Sequence, residues 1–148
     1  MSIEWVIRKF DELSPHELYS ILQLRNIVFA IEQNCVYPDM DDKDQPSIHI
    51  MVLRHEQLIA YTRIIPPGIV YAEPSIGRVV TSPSARGEGI GKLLMEKSIE
   101  FVYNKFGTTP IRIGAQLYLK KFYSAIGFLP VGQIYLEDGI EHIEMIKP

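Results

Sequence analysis

The stretch Arg86-Gly87-Glu88-Gly89-Ile90-Gly91 decides how this chain is read, because it sets an arginine and three glycines at the opening of an amphipathic helix. Upstream, Ile76-Gly77-Arg78-Val79-Val80-Thr81 is rich in β-formers and Pro83 stops it; downstream, residues 90–106 repeat apolar side chains at helical spacing. The order is strand, loop, helix. Glycine removes the Cβ atoms that would hold a ligand off the backbone, and the first turn of a helix presents N–H groups without partners in the helix. The macrodipole adds partial positive charge there, so the loop can hold a pyrophosphate. Two nucleotide loops fail on residue identity. A Walker loop needs Ser or Thr after Gly91-Lys92, where Leu93 stands, and a Rossmann fingerprint needs glycine where Lys92 stands.

The chain as a whole narrows the setting. Its 148 residues suit one domain, 1–148, with a core that needs neither disulfides nor a structural metal. Fifteen Lys and Arg against 18 Asp and Glu leave a net charge of −3, so no global positive charge draws it to nucleic acid or anionic lipid. Cys35 has no partner for an intrachain disulfide, the start Met1-Ser2-Ile3-Glu4-Trp5 lacks a signal-peptide pattern, and no apolar run approaches the roughly 20 residues of a membrane span. The expectation is a cytoplasmic protein with no nucleic-acid or membrane partner.

Working outward from the motif, residues 3–10 read as a first, edge strand, and a helix follows with Ser14 as cap, Pro15 at its first position and Glu17 closing a capping box. Leu18, Ile21, Leu22, Val28 and Phe29 share its apolar face; Arg25 lies in the same arc and is expected to snorkel toward a carboxylate. Residues 39–44, Asp-Met-Asp-Asp-Lys-Asp, tempt a calcium reading that Lys43 and Asp44 refuse, since an EF-hand loop wants Asp or Asn and then Gly there. The stretch is expected to be a solvated loop. Residues 49–53 and 58–65 form a hairpin, and residues 111–115 a buried strand. A short helix with Tyr118, Phe122 and Ile126 on one face ends at Gly127, and two last strands turn at Asp138-Gly139. The fold class is α+β: a mostly antiparallel sheet of six to seven strands flanked by helices, with one central parallel pair, 76–81 and 111–115, joined by a helical crossover.

The loop resembles the acyl-coenzyme A loop of the Gcn5-related N-acetyltransferases (GNAT), written Gln or Arg, two residues, Gly, one residue, Gly or Ala: Arg86, Gly89 and Gly91 fill every position. Val79-Val80-Thr81-Ser82-Pro83 is similar to the strand and proline before that loop. Residues 116–128, ending Phe122-Tyr123, three residues, Gly127-Phe128, resemble the family's second cofactor motif, at the family's spacing. Leu24-Arg25, Val28-Phe29, Glu32-Gln33-Asn34-Cys35, Gly114-Ala115-Gln116 and Asp138-Gly139-Ile140 extend the likeness to the ElaA-type branch over most of the chain.

The resemblance implies an acetyl-CoA-dependent N-acetyltransferase that acts on a primary amine of a small molecule or peptide by direct attack; a homodimer is compatible with it. It assigns the pyrophosphate to N–H groups of Arg86, Gly87, Glu88, Gly89, Ile90 and Gly91, with Lys92 as reinforcement. Backbone groups of Val79, Val80 and Thr81 would meet the pantetheine arm, and the Val79 N–H the thioester oxygen. Gln116 stands where many members carry a cofactor-contacting Asn. Tyr123 would protonate the leaving thiolate, a role that suits a phenol of ordinary pKa about 10 against a thiol near 8.5. Glu32, His49, Glu73, Glu141 and His142 are the candidate proton acceptors for the amine, and Glu32, after the first helix on the acceptor side, is the favoured one. No histidine pair has a metal-binding spacing. A coenzyme A sensor or assembly module, and an acyl-homoserine lactone synthase, are the alternatives; the latter needs a docking surface for an acyl carrier protein, and the acidic chain offers no obvious basic cluster for one.

Overall fold

The computed structural model describes residues 2–148. Strand β1 (Glu4–Lys9) leads to helix α1 (Pro15–Arg25), whose start obeys the local signal: the Ser14 hydroxyl accepts from the Glu17 N–H at 3.0 Å, while the Glu17 carboxylate accepts from the Ser14 N–H at 2.8 Å. The helix does not stop at Arg25. A π-helical segment, Asn26–Glu32, carries it on to the rim of the molecule. Strands β2 (Ile48–Arg54) and β3 (Gln57–Ile65) form the expected hairpin, turning through His55 and Glu56 at positive φ, and β4 (Ser75–Thr81) follows.

Helix α2 (Ile90–Phe106) starts at the glycine motif, with Gly89 in the left-handed region at φ 75°, and packs Leu94, Met95 and Val102 into the main core. Then come β5 (Ile111–Gln116), a 3₁₀ turn at Leu117–Leu119, helix α3 (Lys120–Ala125), and the hairpin of β6 (Leu129–Glu137) and β7 (Ile140–Lys147) around Asp138-Gly139. Because α3 begins only at Lys120, the four-residue stripe expected from Tyr118 to Ile126 does not form. Tyr118 is exposed and Tyr123 is the buried residue of α3.

The seven strands make two antiparallel sheets, β1-β2-β3-β4 and β5-β7-β6, with β1 an edge as expected. The anticipated central pair β4 and β5 are neighbours without a ladder. The Arg112 N–H donates to the Pro74 carbonyl at 3.1 Å where both strands begin, and beyond that the strands part, so that their later residues, Val79 to Thr81 and Gly114 to Gln116, flank one cleft. The sheet therefore opens like a V beside the strand that leads into the glycine loop. Among the described residues, no helix is long and apolar enough to cross a membrane, and no group of three His, Cys, Asp or Glu side chains is disposed to hold a metal.

Candidate active site

The cleft between the two sheets encloses about 800 Å³. Its β4 wall is shaped by a bulge. Tyr61 faces Val80 and Arg63 faces Gly77 across the β3–β4 ladder, which leaves Arg78 and Val79 opposite the single residue Thr62. Arg78 takes φ 51°, sparsely populated for a non-glycine residue, and Thr62 Oγ1 donates to the Gly77 carbonyl at 2.8 Å beside it. The ladder is thus interrupted at Val79, the residue whose N–H the sequence reading assigned to the thioester oxygen.

Of the other residues singled out from sequence, Val80, Thr81, Arg86, Gly91, Gln116, Tyr123 and Glu32 also line this cleft. Gly87, Glu88 and Gly89 lie exposed on the loop beside it and Lys92 lies exposed on the first turn of α2, while Ile90 is buried in the core. Glu88 turns away to Arg54, whose Nη1 lies 2.6 Å from its carboxylate. Arg86 meets Glu32: Nη1 donates to Oε2 at 2.9 Å and Nη2 to Oε1. That pair occupies Glu32, the favoured proton acceptor, and the Arg86 hydrogen bond lowers its carboxyl pKa. Gln116 and Gln33 exchange amide hydrogen bonds of 3.1 and 3.3 Å, which ties the end of β5 to the end of the π-helical segment.

Tyr123 is 7% exposed, set edge-on to Phe122 and Phe128 with ring centroids 5.1 and 6.0 Å away. Burial pushes its phenol up to about 12, with Tyr118 adding to the shift. The hydroxyl is therefore a protonated donor over the whole physiological range.

The acidic stretch is not a solvated loop. Arg25, 0% exposed, does not snorkel: its Nε and Nη1 reach Asp39 and Asp44 at 2.8 Å each. Arg63 joins Asp41 and Asp44, and Arg78 joins Asp39 and Asp41. Three guanidinium groups thus neutralise three carboxylates that no sequence periodicity brings together. Burial raises the Asp41 and Asp44 carboxyls, but hydrogen bonds and charge from Arg63 on Asp41, and from Arg25 and Arg63 on Asp44, outweigh it and leave both below the usual range. The network fixes the loop as one wall of the cleft, where Asp39, Asp41, Arg63 and Arg78 are lining residues.

A profile described as "Acetyltransferase (GNAT) domain" matches residues 18–148. The chain belongs to the GNAT family. Within it, the chain is similar to protein ElaA of Escherichia coli K12, 42% identical over 98% of this chain and 96% of the relative. A solved GNAT structure described as an acyl-CoA N-acyltransferase from Pseudomonas aeruginosa superposes with a TM-score of 0.95 at 39% identity, covering 99% of this chain and 100% of the other. E. coli ElaA superposes at 0.92 with 40% identity, covering 99% and 100%. The mixed α/β fold of these structures is the class the sequence implies, with the expected six to seven strands present as sheets of four and three.

Proposed function

We propose that the protein is an N-acetyltransferase that moves an acetyl group from acetyl-CoA to a primary amine of a small molecule or peptide, without a metal. The observation that carries this reading is the joint lining of one cleft by the interrupted strand at Val79, the Arg86 loop and the buried phenol of Tyr123. An aminoglycoside 6'-N-acetyltransferase complexed with coenzyme A shares the fold, with a TM-score of 0.71 at 19% identity.

In this reading the backbone from Arg86 to Gly91, with the Arg86 and Lys92 side chains, holds the pyrophosphate at the start of α2, and the open edge of β4 at Val79, Val80 and Thr81 takes the place of a missing ladder for the pantetheine amides. The Val79 N–H faces the oxygen that gains charge as the amine attacks, and the Tyr123 hydroxyl protonates the departing sulfur. Gln116 holds Gln33 at the mouth, and Glu32 occupies the exposed Arg86 guanidinium until the pyrophosphate displaces it. The lone Cys35, without a partner for an intrachain disulfide, suits a reducing cytoplasm. The test is thiol release from acetyl-CoA with a panel of primary amines, with the acetylated product identified by mass. A protein that binds acetyl-CoA and transfers to no amine in a broad panel would end this reading.

A further inference from the structure

The five candidate proton acceptors have unequal access. His49 is 0% exposed and both ring nitrogens are engaged: Nε2–H donates to the Asp44 carbonyl at 2.9 Å and Nδ1 accepts from the Tyr61 hydroxyl at 2.6 Å. Glu73 is held by Arg112 through two hydrogen bonds, and neither Glu73 nor Glu141 lines the cleft. Glu32 lines it, but both of its oxygens accept from Arg86. His142 is left.

The surroundings of His142 suit the task. It lies on β7 opposite Gln116 of β5, lines the cleft, and is 6% exposed. Its Nδ1 sits 2.7 Å from the Ile140 carbonyl oxygen, an acceptor with no proton of its own, so the neutral ring carries its proton on Nδ1 and leaves the lone pair on Nε2. Glu137 Oε2 lies 3.7 Å from that Nε2, and the Tyr135 ring lies beside the imidazole with centroids 5.8 Å apart. Glu137 also lines the cleft. A lone pair and a carboxylate facing the same space are what an ammonium group needs on arrival.

We propose that His142, with Glu137 beside it, takes the proton from the acceptor amine; this rests on the N-acetyltransferase reading above. The carboxylate attracts the cationic ammonium and His142 Nε2 removes one proton, which passes to solvent. The neutral nitrogen then forms its bond to the thioester carbon, and the carbon–sulfur bond breaks as Tyr123 protonates the thiolate. The nitrogen's second proton returns through water to the Tyr123 phenolate. The products are the amide, free coenzyme A and one proton. The acceptor class is therefore a primary amine that is charged near neutral pH.

The test compares a basic amine accepted by the wild-type protein with a fluorinated analogue of the same skeleton that is already uncharged near neutral pH. For His142→Gln, kcat/KM should fall about a hundredfold with the basic amine and less than about threefold with the fluorinated one, because the latter has no proton to give up before attack. Acetyl-CoA binding should be unchanged. An equal loss for both amines would overturn the assignment while leaving the proposed reaction standing. If His142→Gln no longer binds acetyl-CoA, Glu137→Gln at its exposed position decides: KM should rise for the basic amine alone, and an equal KM change for both overturns the assignment. A wild-type protein that binds acetyl-CoA but acetylates no amine overturns both readings.

Discussion

Arg86 and Glu32, 54 residues apart in the chain, face each other fork to fork across the rim of the cleft, joining the cofactor-side loop to the end of the π-helical segment. Arg86 is about half exposed, so the pair is one that a stronger anion can compete with. Glu32→Gln removes the competing charge. Acetyl-CoA should bind about two- to fivefold more tightly to that variant, read by calorimetry, as befits an exposed pair. A weaker Kd would show instead that Glu32 positions Arg86 for the pyrophosphate.

Tyr123→Phe removes the proposed acid but keeps the ring between Phe122 and Phe128. Its kcat should drop about a hundredfold with the acetyl-CoA Kd unchanged. The sign of the pH effect follows from burial, which lifts this phenol to about 12: the donating form is complete below that value and is lost only as pH rises through it. The wild-type kcat should therefore show no falling limb from Tyr123 between pH 6 and 10. A basic limb in that window that vanishes in Tyr123→Phe would contradict the shift.

Gly91→Ala should separate stability from binding. A Cβ at this position would meet Phe122 Cζ at 3.8 Å and Thr81 Oγ1 at 3.9 Å, ordinary contacts, and α2 would gain about 0.5 to 1 kcal/mol from a better helix former. Tm should rise by about 2 °C. Acetyl-CoA affinity should fall at the same time, because the added methyl stands on the lining of the cleft. Unchanged affinity would remove Gly91 from the cofactor site.

Asp44→Asn strikes the buried network, since Oδ1 of Asp44 accepts from Nη1 of both Arg25 and Arg63 at 2.8 Å. Leaving two buried guanidinium groups short of a countercharge should cost about 3 kcal/mol or more, seen as a lower urea midpoint. Asp41 and Asp44 have lowered carboxyl pKa values in the folded protein, so their contribution is complete above about pH 4 and fades as pH falls through the folded values. The wild-type protein should lose stability steeply below pH 4, and Asp44→Asn less steeply. Parallel acid profiles would assign acid unfolding to other groups.

Local grammar was legible in the sequence and distant pairing was not. Ser14-Pro15 with Glu17, the Asp138-Gly139 turn and the loop before α2 each act within a few residues, so their reading carried straight into the structure. Arg25 was placed in the right apolar arc, but its partners lie 14 and 19 residues on, in a segment without periodicity, and the same segment draws in Arg63 and Arg78 from two strands. Acids at 39, 41 and 44, in a chain whose Arg25 sits in an apolar arc and needs a carboxylate, were the one available hint. Tyr118 misled because the 3₁₀ turn at Leu117–Leu119 shifts the phase before α3 begins. The Gln33–Gln116 bridge spans 83 residues and had no sequence signal at all.

The V-shaped split also orders the chain in time. Residues 4–81 build one sheet as a meander in which every hydrogen-bonded neighbour is the next strand in sequence, and residues 111–147 build the other. The pairings of β2 with β3, β3 with β4 and β6 with β7 therefore cross short connections, the kind that closes small loops and favours rapid folding. α2, a core that Ile50 and Ile64 share with Ile113 and Met145, the Gln33–Gln116 bridge and the contact of Pro74 with Arg112 unite the halves. A chain severed in the exposed turn at Gly107 and Thr108 would yield two fragments, each owning one whole sheet and one wall of the cleft, with the loop from Arg86 to Gly91 left whole in the first, and their reassociation would restore the site at the seam.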